Sequence, residues 1–166
     1  MNGYVRIFID KDDFKRIEKI GQTYYAQWGK KDEGDNIVSC YRTGVSLKNE
    51  PSLNDCIDAV SSIINDSIDK EILSGYKWKD SSGTEHSVWL SIENQFNYKA
   101  AYDIAVQTSG STLPVSFKLG DNSNPDIVSF TNMQDLSSFV TGTISHVQKT
   151  LEDGWKQKDE IRKEFE

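Results

Sequence analysis

The chain is short of the residues that usually announce a specialised chemistry. It has two cysteines and two histidines in 166 residues. Neither His86 nor His146 has a second His or Cys at a metal-ligand spacing, and no HExxH or CxxC signature occurs, so no metal site and no cofactor is expected. GxxxxGK[ST], GxGxxG and GxSxG are also missing, which removes the usual phosphate loops and the nucleophile elbow. Positive charge is scarce: 19 Lys and Arg against 26 Asp and Glu give a net charge of −7 and a pI near 4.9. With no basic block to neutralise phosphates, nucleic acid is not an expected partner. No apolar run approaches the roughly 20 residues that span a bilayer, so no membrane is expected either. The opening MNGYVRIFID lacks the charged and apolar regions of a secretory signal. Cys40 and Cys56 are therefore expected to be reduced, half-buried small residues and not a disulfide.

What is present is enough to fold. Apolar residues make up 36% and charged ones 27%, with four Trp, seven Tyr and seven Phe, a composition for one domain or a compact domain plus a small satellite. The first half reads as β-structure. YVRIFI alternates loosely, and TYYAQW and NIVSCYR flank the polar loop GKKDEGD as an antiparallel hairpin. DKDD before FKRIEKI suits a turn or a helix cap, and FKRIEKI itself stays open between a short helix and a strand.

After Pro51 the period changes. Leu53, Cys56, Ile57, Val60, Ile63, Ile64, Ile68 and Ile72 recur at threes and fours, Ser52 with Asp55 makes a capping box, and Gly75 stands where a left-handed C′ residue is wanted. YKW and HSVWL then flank KDSSGTE, a second helix runs from about Ser91 to Thr108, and PVSFKL and IVSF flank GDNSNPD. That last loop lacks the alternating carboxylates and terminal Glu of a calcium hand and reads as a turn. Thr131 with Gln134 offers a capping box for a terminal helix that, if unbroken, runs beyond about 30 residues. The expected fold is α+β: an N-terminal antiparallel sheet, then a three-helix body with two inserted β-hairpins and a long C-terminal helix. The division is 1–50 and 51–166, or one continuous domain.

Three groups of residues stand out. ENQFNYKAAYDIA sorts on a helical period into an apolar face with Phe96, Ala100, Ala101, Ile104 and Ala105, and a polar one with Gln95, Lys99, Tyr102 and Asp103. Asn97 falls on the apolar face, where its amide needs partners, and is expected to pin a hairpin to the helix as a structural device. Among the strand aromatics, Tyr25, Trp28, Tyr76 and Trp78 are candidates for an outward platform binding sugar or protein; the alternative is that they are core. Along the terminal helix, Trp155, Ile161 and Phe165 extend the apolar stripe beyond the reach of the other helices. They are a candidate interface for a partner or a second copy of the chain, unless the N-terminal sheet folds back over them. Carboxylate pairs such as Glu93 with Asp103 or Glu50 with Asp55 need geometry before they mean anything, and no catalytic residue is expected.

The order GYKW, VWLS, the Asn-bearing helix ENQFNYKAAYDIA, LPVSFKL and FTNMQDLSSFVTGTISHVQKTLEDGWKQKDEI, over about residues 64 to 161, resembles a family of unknown function encoded in the tail regions of bacteriophages and prophages. The N-terminal β-segment resembles the variable front half of such proteins. The resemblance carries no catalytic residues. It implies a non-enzymatic tail-fibre or baseplate component, or a factor assisting assembly, with tail or tail-fibre proteins as partners. The implied location is the host bacterial cytoplasm during assembly, or the virion. The alternative is a free-standing module that binds glycan or protein through exposed aromatics.

Overall fold

A computed structural model describes residues 3–120 and 123–166. The architecture is α+β, with helices and antiparallel strands in the order expected. β1 (Val5–Asp10), β2 (Ile17–Ile20), β3 (Thr23–Gly34) and β4 (Ile37–Ser46) form an antiparallel sheet of order β1-β4-β3-β2. FKRIEKI thus resolves as strand: β2 pairs with β3, Ile17 opposite Ala26, giving its backbone partners that a helix of under two turns holds only weakly. Three irregularities of register interrupt the β3–β4 pairing, one of them between Trp28 and Lys31.

Helix α1 (Leu53–Ser74) starts at the expected capping box. The Ser52 N–H donates to Asp55 Oδ2 at 2.8 Å, and the Asp55 N–H donates to Ser52 Oγ at 3.2 Å. Hairpin β5–β6 (Tyr76–Lys79, Glu85–Val88), helix α2 (Ile92–Gln107), hairpin β7–β8 (Val115–Gly120, Pro125–Phe130) and helix α3 (Met133–Phe165) follow. The cap of α3 lies one residue beyond the expected Thr131: Asn132 Oδ1 accepts the Asp135 N–H at 2.9 Å, and Asn132 Nδ2 donates to Asp135 Oδ2 at 2.9 Å. Asn is as good a cap as Thr, and the neighbouring Asp135 completes the exchange. Asp121 and Asn122, at the centre of the GDNSNPD loop, lie outside the described residues.

The chain folds as two compact units. The first takes in the chain up to Ser67 together with Asp153–Glu166; the second is Ile68–Glu152. The composition break at Pro51 falls inside the first. In the first unit Ala26, Trp28, Val38, Cys40, Cys56, Val60 and Ile64 are buried together with Ile161 and Phe165 from the end of α3. In the second, a cluster of rings forms the core. Phe139 packs against Trp78, Tyr98, Phe117 and Phe130 with centroids 4.9 to 5.6 Å away.

Helix α2 is rotated from its expected orientation, keeping Ala101 and Ala105 inward but turning Phe96 and Ile104 out. Tyr98 and Ala105 are buried, with Gln95, Ala101 and Tyr102 half-buried beside them, whereas Ile92 and Phe96 are 83% and 71% exposed. The Tyr98 ring reaches Phe117 at 4.8 Å and its hydroxyl donates to the Trp89 carbonyl at 3.3 Å. The burial of the Tyr98 ring in that cluster sets the rotation of the helix. Asn97 is consequently exposed, not buried, and its side chain bonds no hairpin among the described residues. Asn97→Leu is therefore expected to change the unfolding free energy by no more than about 0.5 kcal/mol in a denaturant titration, as for other surface positions. A loss of 2 kcal/mol would restore the pinning role. Among the described residues, no helix is long and apolar enough to cross a membrane.

Candidate functional site

The first unit carries a cleft of about 260 Å³, assembled from three stretches of chain. Its floor is aromatic. Trp28 of β3 and Tyr41 of β4 are direct cross-strand partners and so share a face of the sheet. Arg6 also opposes Tyr41, so by strand alternation Tyr4, two residues earlier, lies on that face as well. The three rings touch: Tyr4 meets Tyr41 at 5.3 Å and 87°, and Trp28 at 5.7 Å and 63°, with 5.8 Å between Trp28 and Tyr41. Gly29 makes the arrangement possible. It has φ +65 at the irregularity after Trp28, and a Cβ there would lie 3.0 Å from the Tyr41 ring.

The walls are helical. α1 supplies Ile63, Ile64 and Ser67, and α3 supplies Gln157, Glu160, Ile161 and Glu164, each set spaced by threes and fours and hence on one face of its helix. Glu164 fixes the end of α3 to the sheet: its Oε2 accepts the Gly29 N–H at 2.9 Å and the Arg16 guanidinium at 2.5 Å. The side chains of Ser67, Gln157 and Glu160, by contrast, make no hydrogen bond or ion pair among the described residues and are exposed at the cleft. On the opposite face of the same sheet, Glu18 Oε2 accepts from Gln27 Nε2 at 2.6 Å and from Arg42 Nη2 at 2.5 Å, while the Cys40 thiol donates to Gln27 Oε1. The two cysteines are free and buried, and desolvation pushes the Cys56 thiol up to about 11, which leaves it unreactive.

The second unit holds a different cluster. His86 of β6, 8% exposed, has Asp126 of β8 on Nδ1 and Asp80 of the β5–β6 turn on Nε2 at 3.3 Å. Both ring nitrogens face carboxylate oxygens, so only the imidazolium can donate to both. Burial lowers the His86 pKa, but the hydrogen bonds and charges of Asp126 and Asp80 outweigh it and the net shift is upward. The Ser82 hydroxyl, then the imidazole and the Thr84 and Ser82 N–H groups, hold Asp80 down to about 2. His86 therefore contributes stability that is complete below its ordinary 6.5 and is lost as pH rises through the elevated folded value; Asp80 contributes above 3.8 and loses it as pH falls towards 2. The melting temperature of the wild type minus that of His86→Gln is expected to be largest near pH 5.5 and to shrink towards pH 9. Parallel curves would show that His86 is neutral in the fold.

No family model, curated protein or solved structure matches the chain.

Of the residues singled out in the sequence, the structure brings Trp28 and Ile161 into the lining of the cleft and disperses the rest. Trp78 is buried in the ring cluster of the second unit, against Phe130, Phe139 and His86, and is no platform. Tyr76 is half-buried, its hydroxyl donating to the Phe139 carbonyl at 3.2 Å. Tyr25 is half-buried on the sheet face away from the cleft, 5.7 Å below Arg42. Ile161 and Phe165 are covered within the first unit, so they offer no open interface, because the sheet supplies the cover that the other helices lack. Trp155 alone of that trio is open, at 56% exposure. The cleft residues missed in the sequence are Tyr4, Tyr41, Gln157, Glu160 and Glu164. The one signal for them was the run 157, 160, 161, 164, whose spacing marks a shared helical face without saying what it meets.

Proposed function

We propose that this chain is a non-enzymatic binding protein of a bacteriophage or prophage tail, a component or an assembly factor, and that the aromatic cleft of its first unit is its recognition face. The observation that carries the binding role is the convergence of Tyr4, Trp28 and Tyr41 with the uncommitted side chains of Ser67, Gln157 and Glu160 on one concave surface. Concave, largely apolar sites with a few convergent polar groups are where ligands bind. The two lining carboxylates favour recognition over hydrolysis. Glu160 and Glu164 are i, i+4 neighbours on α3 and stand on one wall, whereas a glycosidase pair flanks the scissile bond from two sides. The tail context is supported by the order of segments from GYKW to the terminal helix.

Mass spectrometry of purified particles induced from a host carrying the gene tests the reading. A component is present at stoichiometric level, whereas an assembly factor is absent from particles but required for tailed ones. If deletion of the gene leaves tail morphology and infectivity unchanged, the tail role fails; if Tyr41→Ala with Glu160→Ala behaves as wild type in the same assay, the cleft is not the recognition face.

A further inference from the structure

We propose that the cleft is a receptor for an organic ammonium group; this rests on the reading of the cleft as the recognition face and names what it recognises. Three observations select that class. The first is charge. Among the described residues, the lining side chains that carry charge at neutral pH are Glu160 and Glu164, with no Lys, Arg or His. Glu164 shares its charge with Arg16, whereas Glu160 is exposed and makes no ion pair among the described residues. The second is the form of the floor. Tyr4 and Tyr41 meet at 87° instead of lying coplanar, so they offer no flat pair of rings for a sugar, while Tyr41, 37% exposed, keeps aromatic surface open on the same cleft as Glu160. Aromatic faces attract cations through the ring quadrupole, Trp most strongly, and the attraction grows with desolvation. The third is the field of the whole chain, whose net charge of −7 raises the local concentration of cations and repels anionic ligands.

The ammonium can come from two sources, a quaternary headgroup of the choline type or the primary ammonium of a lysine side chain. Calorimetric titration of the full chain with choline and with N-acetyl-lysine methylamide distinguishes them. Each is paired with a neutral match, 3,3-dimethylbutan-1-ol and N-acetyl-norleucine methylamide, and methyl glucoside is a further arm. The expected result is that one of the two ammonium probes binds about tenfold or more tighter than its neutral match, the gain a cation over aromatic rings supplies. That preference should fall severalfold in Glu160→Gln, whose exposed position leaves the fold intact, and binding should be lost in Tyr41→Ala while its circular dichroism at the titration temperature stays that of the folded protein. Equal binding of cation and neutral match overturns the inference and leaves an apolar cleft. Binding of the glycoside alone, dependent on Tyr41, also overturns it while the recognition face stands. If no probe binds, the ammonium inference is wrong, and the particle assay with the cleft variants decides separately whether the recognition face survives.

Discussion

Phe139→Ala is expected to lower the unfolding free energy by about 3 to 5 kcal/mol, the range for deleting a buried ring from a packed core. Phe139 is fully buried and touches four other rings: Phe130 at 5.0 Å, Tyr98 at 4.9 Å and 78°, Trp78 at 5.3 Å and 83°, and Phe117 at 5.6 Å. Its loss removes two edge-to-face contacts, with Trp78 and Tyr98, each worth about 0.5 to 1.5 kcal/mol beyond area, and leaves a cavity among the remaining rings. Tyr98 cannot collapse into the space without releasing the Trp89 carbonyl. Urea denaturation together with the near-ultraviolet dichroism of the aromatic residues would measure both the loss and the loosened packing. A cost under 1 kcal/mol would mean that the cluster repacks freely and is not the centre of the second unit.

Gly75→Ala should cost nearly as much, about 3 kcal/mol or more, for a different reason. Gly75 ends α1 with φ +77 and donates its N–H to Ile72 at 3.0 Å. A side chain in the left-handed region costs about 1 to 2 kcal/mol by itself. Here a Cβ would also fall on the carbonyl oxygen of Val88, so β6 has to move or the turn has to open. The displaced strand carries His86, and the pH dependence of stability is expected to flatten with it. A Gly75→Ala protein with wild-type stability and an intact His86 effect would refute this account. Gly83, also at positive φ but with open space around its missing Cβ, is the control: alanine there pays the backbone term alone.

How far the sequence could be read depended on the range of the decisive interaction. The Ser52–Asp55 box and the Gly75 stop are local devices, and both stand where their residues place them. At the start of α3 two cap-forming residues are adjacent, and Asn132 prevailed over Thr131 through a bond to Asp135 that the pattern alone does not rank. The face of α2 was not legible, because Ile92, Phe96 and Ile104 compete with Tyr98 for burial and the outcome turns on Phe117 and Phe139, far along the chain. The same holds for the cleft. Its floor comes from β3, β4 and the residue before β1, its walls from α1 and the last turns of α3, and its keystone is the contact between Glu164 and Gly29, 135 positions apart. Periodicity finds each contributing face but not the pairing of faces.

That last contact also sets an order of events during synthesis. Within the first unit, the stretch up to Ser67 is translated before all of Ile68–Glu152, and Asp153–Glu166 after it. At about 5 to 20 residues per second, the nascent sheet waits on the order of ten seconds for Ile161, Phe165 and Glu164. During that interval Ala26, Trp28 and Val38 lack part of their cover beside the edge strands β1 and β2, and apolar surface next to a sheet edge invites pairing with other chains. The second unit has every residue it needs before then. The closing step in the folding of the first unit is thus the docking of one helix end onto a sheet made much earlier, and a nascent chain stalled before Asp153 would be a natural client for a chaperone.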